Sequence, residues 1–215
     1  MKTLGVGIVL MVALFFCLPY HLYMKQLWKK NPEKSWEKAR KFVSGFFRFE
    51  LKLSGCKVNV IGKENIPQDG PVLFVGNHRS YFDILIYHEA IGKPLGFLAK
   101  KEMEKIPLLP LYMRDIGCLF LDRDDIKQGL SVIKQGTEYM KQGHSMVVFP
   151  EGTRNQTDTL LPFREGGYKM AEKSKSPIVP VSICRSDLML ESAPKRRIHS
   201  HNVTIEFGKP IYPCE

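Results

Sequence analysis

PVLFVGNHRSYFD, residues 71–83, decides how this chain folds. The run 71–77 reads as a buried strand, and it hands over almost at once to a helix expected over 80–91. A strand feeding directly into a helix is the unit of α/β proteins, whose chemistry gathers in the loops beyond the strand ends. The handover also carries a His and an Asp. If 78–83 were all helical, the side chains of His78 and Asp83 would point about 140° apart at 100° per residue and would never meet. A turn between them is required, and the junction supplies one.

The same texture extends outward in both directions. Short apolar runs at 58–62, 95–99, 117–121, 145–149, 178–184 and 203–207 read as further strands. Between them, 124–142 repeats Ile126, Leu130, Ile133, Thr137 and Met140 behind acidic Asp124 and Asp125, which marks a helix and its amino terminus. A second helix is expected over 166–175, and a Pro-punctuated helical connection passes through Pro107 and Pro110. Strand-helix alternation predicts an α/β fold with a mixed, largely parallel sheet flanked by helices. The 215 residues suffice for one such domain, expected over 55–215, preceded by a membrane-anchoring helical region over 1–54.

Charge is the unusual quantity: 32 Lys and Arg stand against 22 Asp and Glu, a net +10. Nine basic and three acidic residues fall between Lys25 and Lys52. They follow an apolar run, residues 3–24, that would extend about 33 Å as a helix, enough for a hydrocarbon core of roughly 30 Å. No A-x-A-like cleavage site follows it, so an uncleaved anchor is expected, either spanning or, because Pro19 near its end weakens a straight span, entering one leaflet only. Lys25, Lys29 and Lys30 outnumber Lys2 and the terminal amine, which places the domain on the cytoplasmic face of a membrane. Basic residues in this position favour an anionic membrane surface, at ~1 kcal/mol per Lys or Arg. No groove-reading helix or aromatic ribonucleoprotein signature accompanies them, so nucleic acid is not an expected partner. Over 35–53, Trp36, Ala39, Val43, Phe46, Phe49 and Leu53 form one helical stripe opposite Lys34, Lys38, Lys41, Arg48 and Lys52. That is the pattern of an amphipathic interfacial helix, or of a surface helix packing its stripe on the domain core. Five scattered cysteines (Cys17, Cys56, Cys118, Cys184, Cys214) have neither zinc nor disulfide spacing and read as buried thiols in a reducing compartment.

Three constellations carry chemistry. In the first, Asp83 accepting a hydrogen bond from one imidazole nitrogen of His78 would fix the tautomer and leave the other nitrogen to take a proton from a hydroxyl. Ser80, two residues from its His, reads as a helix cap rather than a nucleophile. His201 and Glu206 share the same spacing, but in a strand they fall on opposite faces. In the second, Glu151-Gly152-Thr153-Arg154 directly follows the strand at 145–149. Gly152 permits close backbone approach, and Arg154 offers five donors to a phosphate ester. In the third, Arg123 and the pair Lys100 and Lys101 also emerge at strand ends, so cations converge on one region and form an anion pocket, with Arg123 and Arg154 the expected pair.

NHRSYFD (77–83), KKEMEKIP (100–107) followed by Gly117 and LDR (121–123), FPEGTR (149–154) and IVPVSI (178–183) occur in that order. Together they resemble the blocks of the 1-acylglycerol-3-phosphate acyltransferase family, within the glycerolipid acyltransferase superfamily. The resemblance spans Asn77 to Ile183, about half the chain. It implies that His78 is the base and Asp83 its partner, and that Arg123, Glu151, Gly152 and Arg154, with Thr153 and Lys101 beside them, bind substrate. It implies too that Pro180 shapes the acyl or active-site wall. Relatives carry two basic residues before the Gly of LPFREG (161–166); here Arg164 can serve, while Glu165 cannot. The implied reaction transfers a fatty acyl group from acyl-CoA or acyl-acyl-carrier-protein to the sn-2 hydroxyl of a lysophospholipid acceptor, 1-acylglycerol 3-phosphate, with no metal and no cofactor. Glycerol 3-phosphate or another lysophospholipid as acceptor, and a non-catalytic lipid-binding protein, are the competing readings.

Overall fold

Fully buried strands need apolar side chains on both faces, and the runs in this chain have them. In the computed structural model, which describes residues 2–157 and 159–213, all seven expected strands form: β1 (Lys57–Ile61), β2 (Leu73–Gly76), β3 (Leu95–Lys100), β4 (Leu119–Leu121), β5 (Ser145–Val148), β6 (Ile178–Cys184) and β7 (Asn202–Phe207). They make one sheet in the order β1-β7-β6-β2-β5-β3-β4. Every neighbouring pair is parallel except β6 and β7. Alternation along the central strands divides the core. Val72 and Phe74 point to one face with Val147 and Val179, whereas Leu73 points to the other with Met146 and Val148.

The helices are α1 (Lys2–Phe16), α2 (Leu18–Lys30), α3 (Pro32–Ser54), α4 (Phe82–Ile91), α5 (Leu109–Asp115), α6 (Ile126–Lys141) and α7 (Tyr168–Ser174). Helices α3 and α4 cover the Phe74 face, and α6 and α7 cover the Leu73 face. At the free edge of β4 one side chain bonds the backbone: Gln128 donates to Phe120 O at 2.7 Å and, just past the strand, accepts from Asp122 N at 3.0 Å. A side-chain amide thus stands in for a further strand and blunts the edge.

The amino-terminal segment departs from the single rod expected of it. It breaks at Cys17 into α1 and α2, bent by 54°, and among the described residues no single helix is long and apolar enough to cross a membrane. Pro19, within the first turn of α2, lacks the N–H that would bond the carbonyl four residues back, and its ring crowds that carbonyl. The exposed residues of α1 include Leu4, Ile8, Met11, Phe15 and Phe16.

Helix α3 also differs in detail from the expected stripe. Trp36 and Ala39 do pack inward, Trp36 stacking on His144 at 4.2 Å between centroids. Toward the carboxyl end the buried line runs through Glu50, Leu51 and Ser54, while Phe42, Phe49 and Leu53 are exposed. The inner line includes polar residues and the outer one aromatics, so hydrophobicity alone could not choose between them. Glu50 is buried with neither carboxylate oxygen hydrogen-bonded among the described residues, and burial pushes its pKa up to about 7. Helix α3 ends on Gly55, which takes the left-handed conformation at φ 77°. The helical region is not separate from the sheet: Met24, Ala39 and Leu51 belong to the same core cluster as Phe74 and Val147.

The thiols are less uniformly buried than expected. Cys118 is buried, Cys17 and Cys56 partly so, and Cys184, at the end of β6, is exposed; Cys214 lies outside the described residues.

Candidate active site

Because β2, β3, β4, β5 and β6 run parallel, their carboxyl ends lie on one edge of the sheet, and the first four are each followed by a residue singled out above. His78 comes after β2, Lys101 after β3, Arg123 after β4, Glu151 after β5. Asn77 fixes the exit from β2. Its amide donates to Ile183 O at 2.9 Å and accepts from Ile183 N at 2.8 Å, continuing the β2–β6 ladder with a side chain where the main chain turns away.

The turn that follows brings the expected pair together. His78 Nδ1 lies 2.8 Å from Asp83 Oδ2. That same oxygen accepts from the backbone N–H groups of Arg79 at 2.8 Å and Ser80 at 2.9 Å. A carboxylate at the amino terminus of α4 is favoured by the orphan donors and by the helix dipole. An oxygen that only accepts requires Nδ1 to carry the proton, so Nε2 keeps its lone pair. The imidazole is held flat against Phe149, 4.1 Å between centroids at 12°, and Asp83 is fully buried. The Ser80 hydroxyl accepts from Phe82 N at 3.1 Å and donates to Glu191 Oε2 at 2.6 Å, so both of its functions are engaged in the turn.

The cations assemble differently from the expected pairing. Gly152 has φ 71°, and a Cβ built there would lie 3.2 Å from Arg164 Nε and 3.4 Å from Arg123 Cζ. Arg123 and Arg164 therefore converge over a glycine backbone. Arg123's pKa is lowered first by burial and then by the Arg164 charge, the electrostatic condition of a site built for an anion. Arg154 is turned to other partners. It donates to Glu191 Oε1 at 2.9 Å, and its guanidinium sits 3.6 Å from the centre of the Tyr81 ring. Lys101 is exposed and paired with Asp122 at 2.9 Å; that bond raises the lysine's pKa and lowers the aspartate's.

Glu151, buried, accepts from Asn155 Nδ2 at 2.6 Å and Leu161 N at 2.9 Å, which anchors the loop leading to Arg164. Asn155 N in turn donates to His78 O at 2.8 Å, tying this loop to the turn that holds His78 and Asp83. Thr153 is exposed. Pro180 lies within β6 with its side chain exposed, its carbonyl accepting from Gly208 N at 2.8 Å. Sequence patterning did not single out Asn155, Asp187 or Glu191, which stand outside any short motif and far from His78 along the chain. Asp187 accepts from Ser192 Oγ at 2.7 Å and Arg79 Nε at 3.3 Å; burial opposes its ionisation, but these bonds hold its carboxyl below the usual range. A cavity of about 610 Å³ opens elsewhere, between α2, α5, α6 and the β4 edge; Glu104 of the 100–107 block lines it, but none of His78, Asp83, Arg123, Glu151 or Arg154 does.

A profile of the acyltransferase family matches residues 57–184, more than half of the chain. A Mycoplasma pneumoniae protein named "Probable 1-acyl-sn-glycerol-3-phosphate acyltransferase" is 34% identical over 193 residues, covering 85% of this chain and 70% of that protein. The chain belongs to the 1-acylglycerol-3-phosphate acyltransferase family. The 1-acyl-sn-glycerol-3-phosphate acyltransferase of Borreliella burgdorferi is also 34% identical, over 63% of this chain and 54% of its own length. A crystal structure of the 1-acyl-sn-glycerophosphate (LPA) acyltransferase from Thermotoga maritima superposes with a TM-score of 0.78 at 25% identity, covering 99% of this chain and 85% of that one. The matched region of this acyltransferase runs from β1 to the end of β6, and so contains the whole carboxyl edge on which His78, Arg123 and Glu151 stand.

Proposed function

We propose that this acyltransferase esterifies the sn-2 hydroxyl of 1-acylglycerol 3-phosphate, producing phosphatidic acid from a thioester donor, acyl-CoA or acyl-acyl-carrier-protein. One observation carries the reading: the 2.8 Å bond from His78 Nδ1 to Asp83, which leaves Nε2 free to act as base. His78 Nε2 takes the proton of the acceptor hydroxyl as its oxygen attacks the thioester carbonyl. Collapse of the tetrahedral adduct breaks the C–S bond, and the imidazolium returns the proton to the departing thiolate. A positioned base of this kind contributes about 10² to 10⁴-fold in rate. Arg123 and Arg164 hold the acceptor's phosphate over Gly152, where no side chain stands in the way.

The membrane reading rests on α1 and the basic segment. The apolar side chains of α1 enter the lipid, the bend at Cys17 lets the pair of helices lie within one leaflet, and Lys25, Lys29 and Lys30 meet anionic headgroups on the cytoplasmic face. The test is product regiochemistry: detergent-purified protein given lysophosphatidic acid and palmitoyl-CoA or a palmitoyl-carrier protein should yield phosphatidic acid with the new chain at sn-2. Acylation of glycerol 3-phosphate in preference would replace the acceptor assignment.

A further inference from the structure

Three short bonds converge on Glu191, a residue outside every matched motif. It lies in the segment after β6, with its side chain mostly shielded from solvent. Oε2 accepts from the Ser80 hydroxyl at 2.6 Å, and Oε1 accepts from Tyr81 N at 3.0 Å and from Arg154 Nη1 at 2.9 Å. Ser80 is itself fully buried, accepts from Phe82 N, and donates its own N–H to Asp83 Oδ2. A single carboxylate therefore links Arg154 of the EGTR segment to the residues that set the His78–Asp83 turn.

Accepting the proposed function, we infer that Glu191 is a positioning residue for the acyltransferase reaction, and that Arg154 braces the His78–Asp83 turn through it. Glu191 occupies the Arg154 donor Nη1, and the guanidinium plane lies over Tyr81, within the turn. Arg123 and Arg164, by contrast, converge over the Gly152 backbone, at 3.4 Å and 3.2 Å from where a Cβ would stand. Arg154 is thus held by a carboxylate and a ring that both belong to or grip the turn, and it braces the base from there. Charge-assisted bonds are the stronger ones, so a carboxylate gripping a buried hydroxyl, a backbone N–H and a guanidinium fixes the turn more firmly than a neutral acceptor would.

Two readouts separate this inference from the function on which it rests. The first needs no substrate: the downfield proton NMR resonance of the His78 Nδ1–H donated to Asp83, compared between the wild-type protein and Glu191→Ala, assigned by its loss in His78→Ala. The resonance should be weakened or shifted in Glu191→Ala and largely restored in Glu191→Gln, which keeps an acceptor oxygen and the side-chain volume. The second is steady-state kinetics. Glu191→Ala should lower kcat by roughly 10- to 100-fold, the cost of a small misplacement of a catalytic group, with KM for lysophosphatidic acid within about threefold of wild type. Arg164→Ala should do the reverse, raising KM. A folded Glu191→Ala with an unchanged His78 resonance overturns the inference whatever the activity shows. So does a rise in KM at unchanged kcat, because that would assign Glu191 and Arg154 to phosphate binding. If Glu191→Ala fails to fold, Glu191→Gln carries both readouts, with an expected loss of about three- to tenfold in kcat; wild-type values in that variant overturn the inference. Wild-type protein that acylates no acceptor refutes the function and leaves the resonance to decide the positioning role alone.

Discussion

Arg164 reaches Gly152 as closely as Arg123 does, although only Arg123 belongs to a motif with an expected phosphate contact. The glycine is needed twice over. Its backbone is left-handed at φ 71°, and any Cβ there would press on both guanidinium groups. Gly152→Ala should therefore raise KM for lysophosphatidic acid by about tenfold or more, with a smaller change in kcat, measured by initial rates over a range of acceptor. Arg164→Ala should reproduce the effect. An unchanged KM in both variants would remove Arg164 from the site.

Asp83→Asn tests the tautomer. The carboxylate oxygen Oδ2 takes three donors, and an amide presenting its NH₂ to any of them would force a rearrangement, or presenting its oxygen would lose the charge. The expected result is a fall in kcat of about 10² to 10⁴-fold, with the protein still folded by circular dichroism. Retained turnover would mean that His78 does not depend on this partner.

The pH dependence of stability has two opposed sources. Burial raises the Glu50 pKa from 4.5 to about 7, so the folded state holds a proton that the unfolded state releases, and stability is lost as pH rises from 4.5 through 7. Burial lowers His88 and His144 from 6.5 to about 3, so their contribution is present above 6.5 and lost as pH falls toward 3. Glu50→Gln should flatten the alkaline side and raise Tm at pH 8 by ~5 °C, corresponding to on the order of 2 kcal/mol. Thermal unfolding followed from pH 5 to pH 8 in one detergent checks this. An alkaline limb unchanged in Glu50→Gln would show that Glu50 is ionised in the folded protein without cost.

Membrane attachment should depend on both the apolar and the basic parts. Substituting Phe15→Ser and Phe16→Ser removes two large exposed side chains of α1, and co-sedimentation with vesicles containing phosphatidylserine should fall by about tenfold. Raising salt should weaken the remainder by screening Lys25, Lys29 and Lys30. Binding insensitive to both would contradict the interfacial seat.

The strand pattern was legible throughout, because strands buried on both faces leave continuous apolar runs such as 71–75 and 145–149, and all seven form. The His78–Asp83 pair was legible as well, since five residues across a strand-helix junction admit few other geometries. Three things were not. Pro19 marked the weak point of the apolar run, but the 54° size of the bend at Cys17 could not be read from one proline. The inner face of α3 carries Glu50 and Ser54, so the stripe of aromatics pointed partly outward. Glu191 meets Ser80 across 111 positions, and no local pattern marks a carboxylate whose partners are brought to it only by the sheet order. The partner of Arg123 was hidden for the same reason: Arg164 arrives by a loop whose path depends on Glu151 and Asn155.

The most direct test of the account is acyl transfer by His78→Ala beside wild type, with lysophosphatidic acid and palmitoyl-CoA or palmitoyl-carrier protein, following thiol release and phosphatidic acid together. The account predicts product from wild type and a loss of at least about 10²-fold in the variant, at an unchanged KM. Near-wild-type turnover in a folded His78→Ala would contradict it.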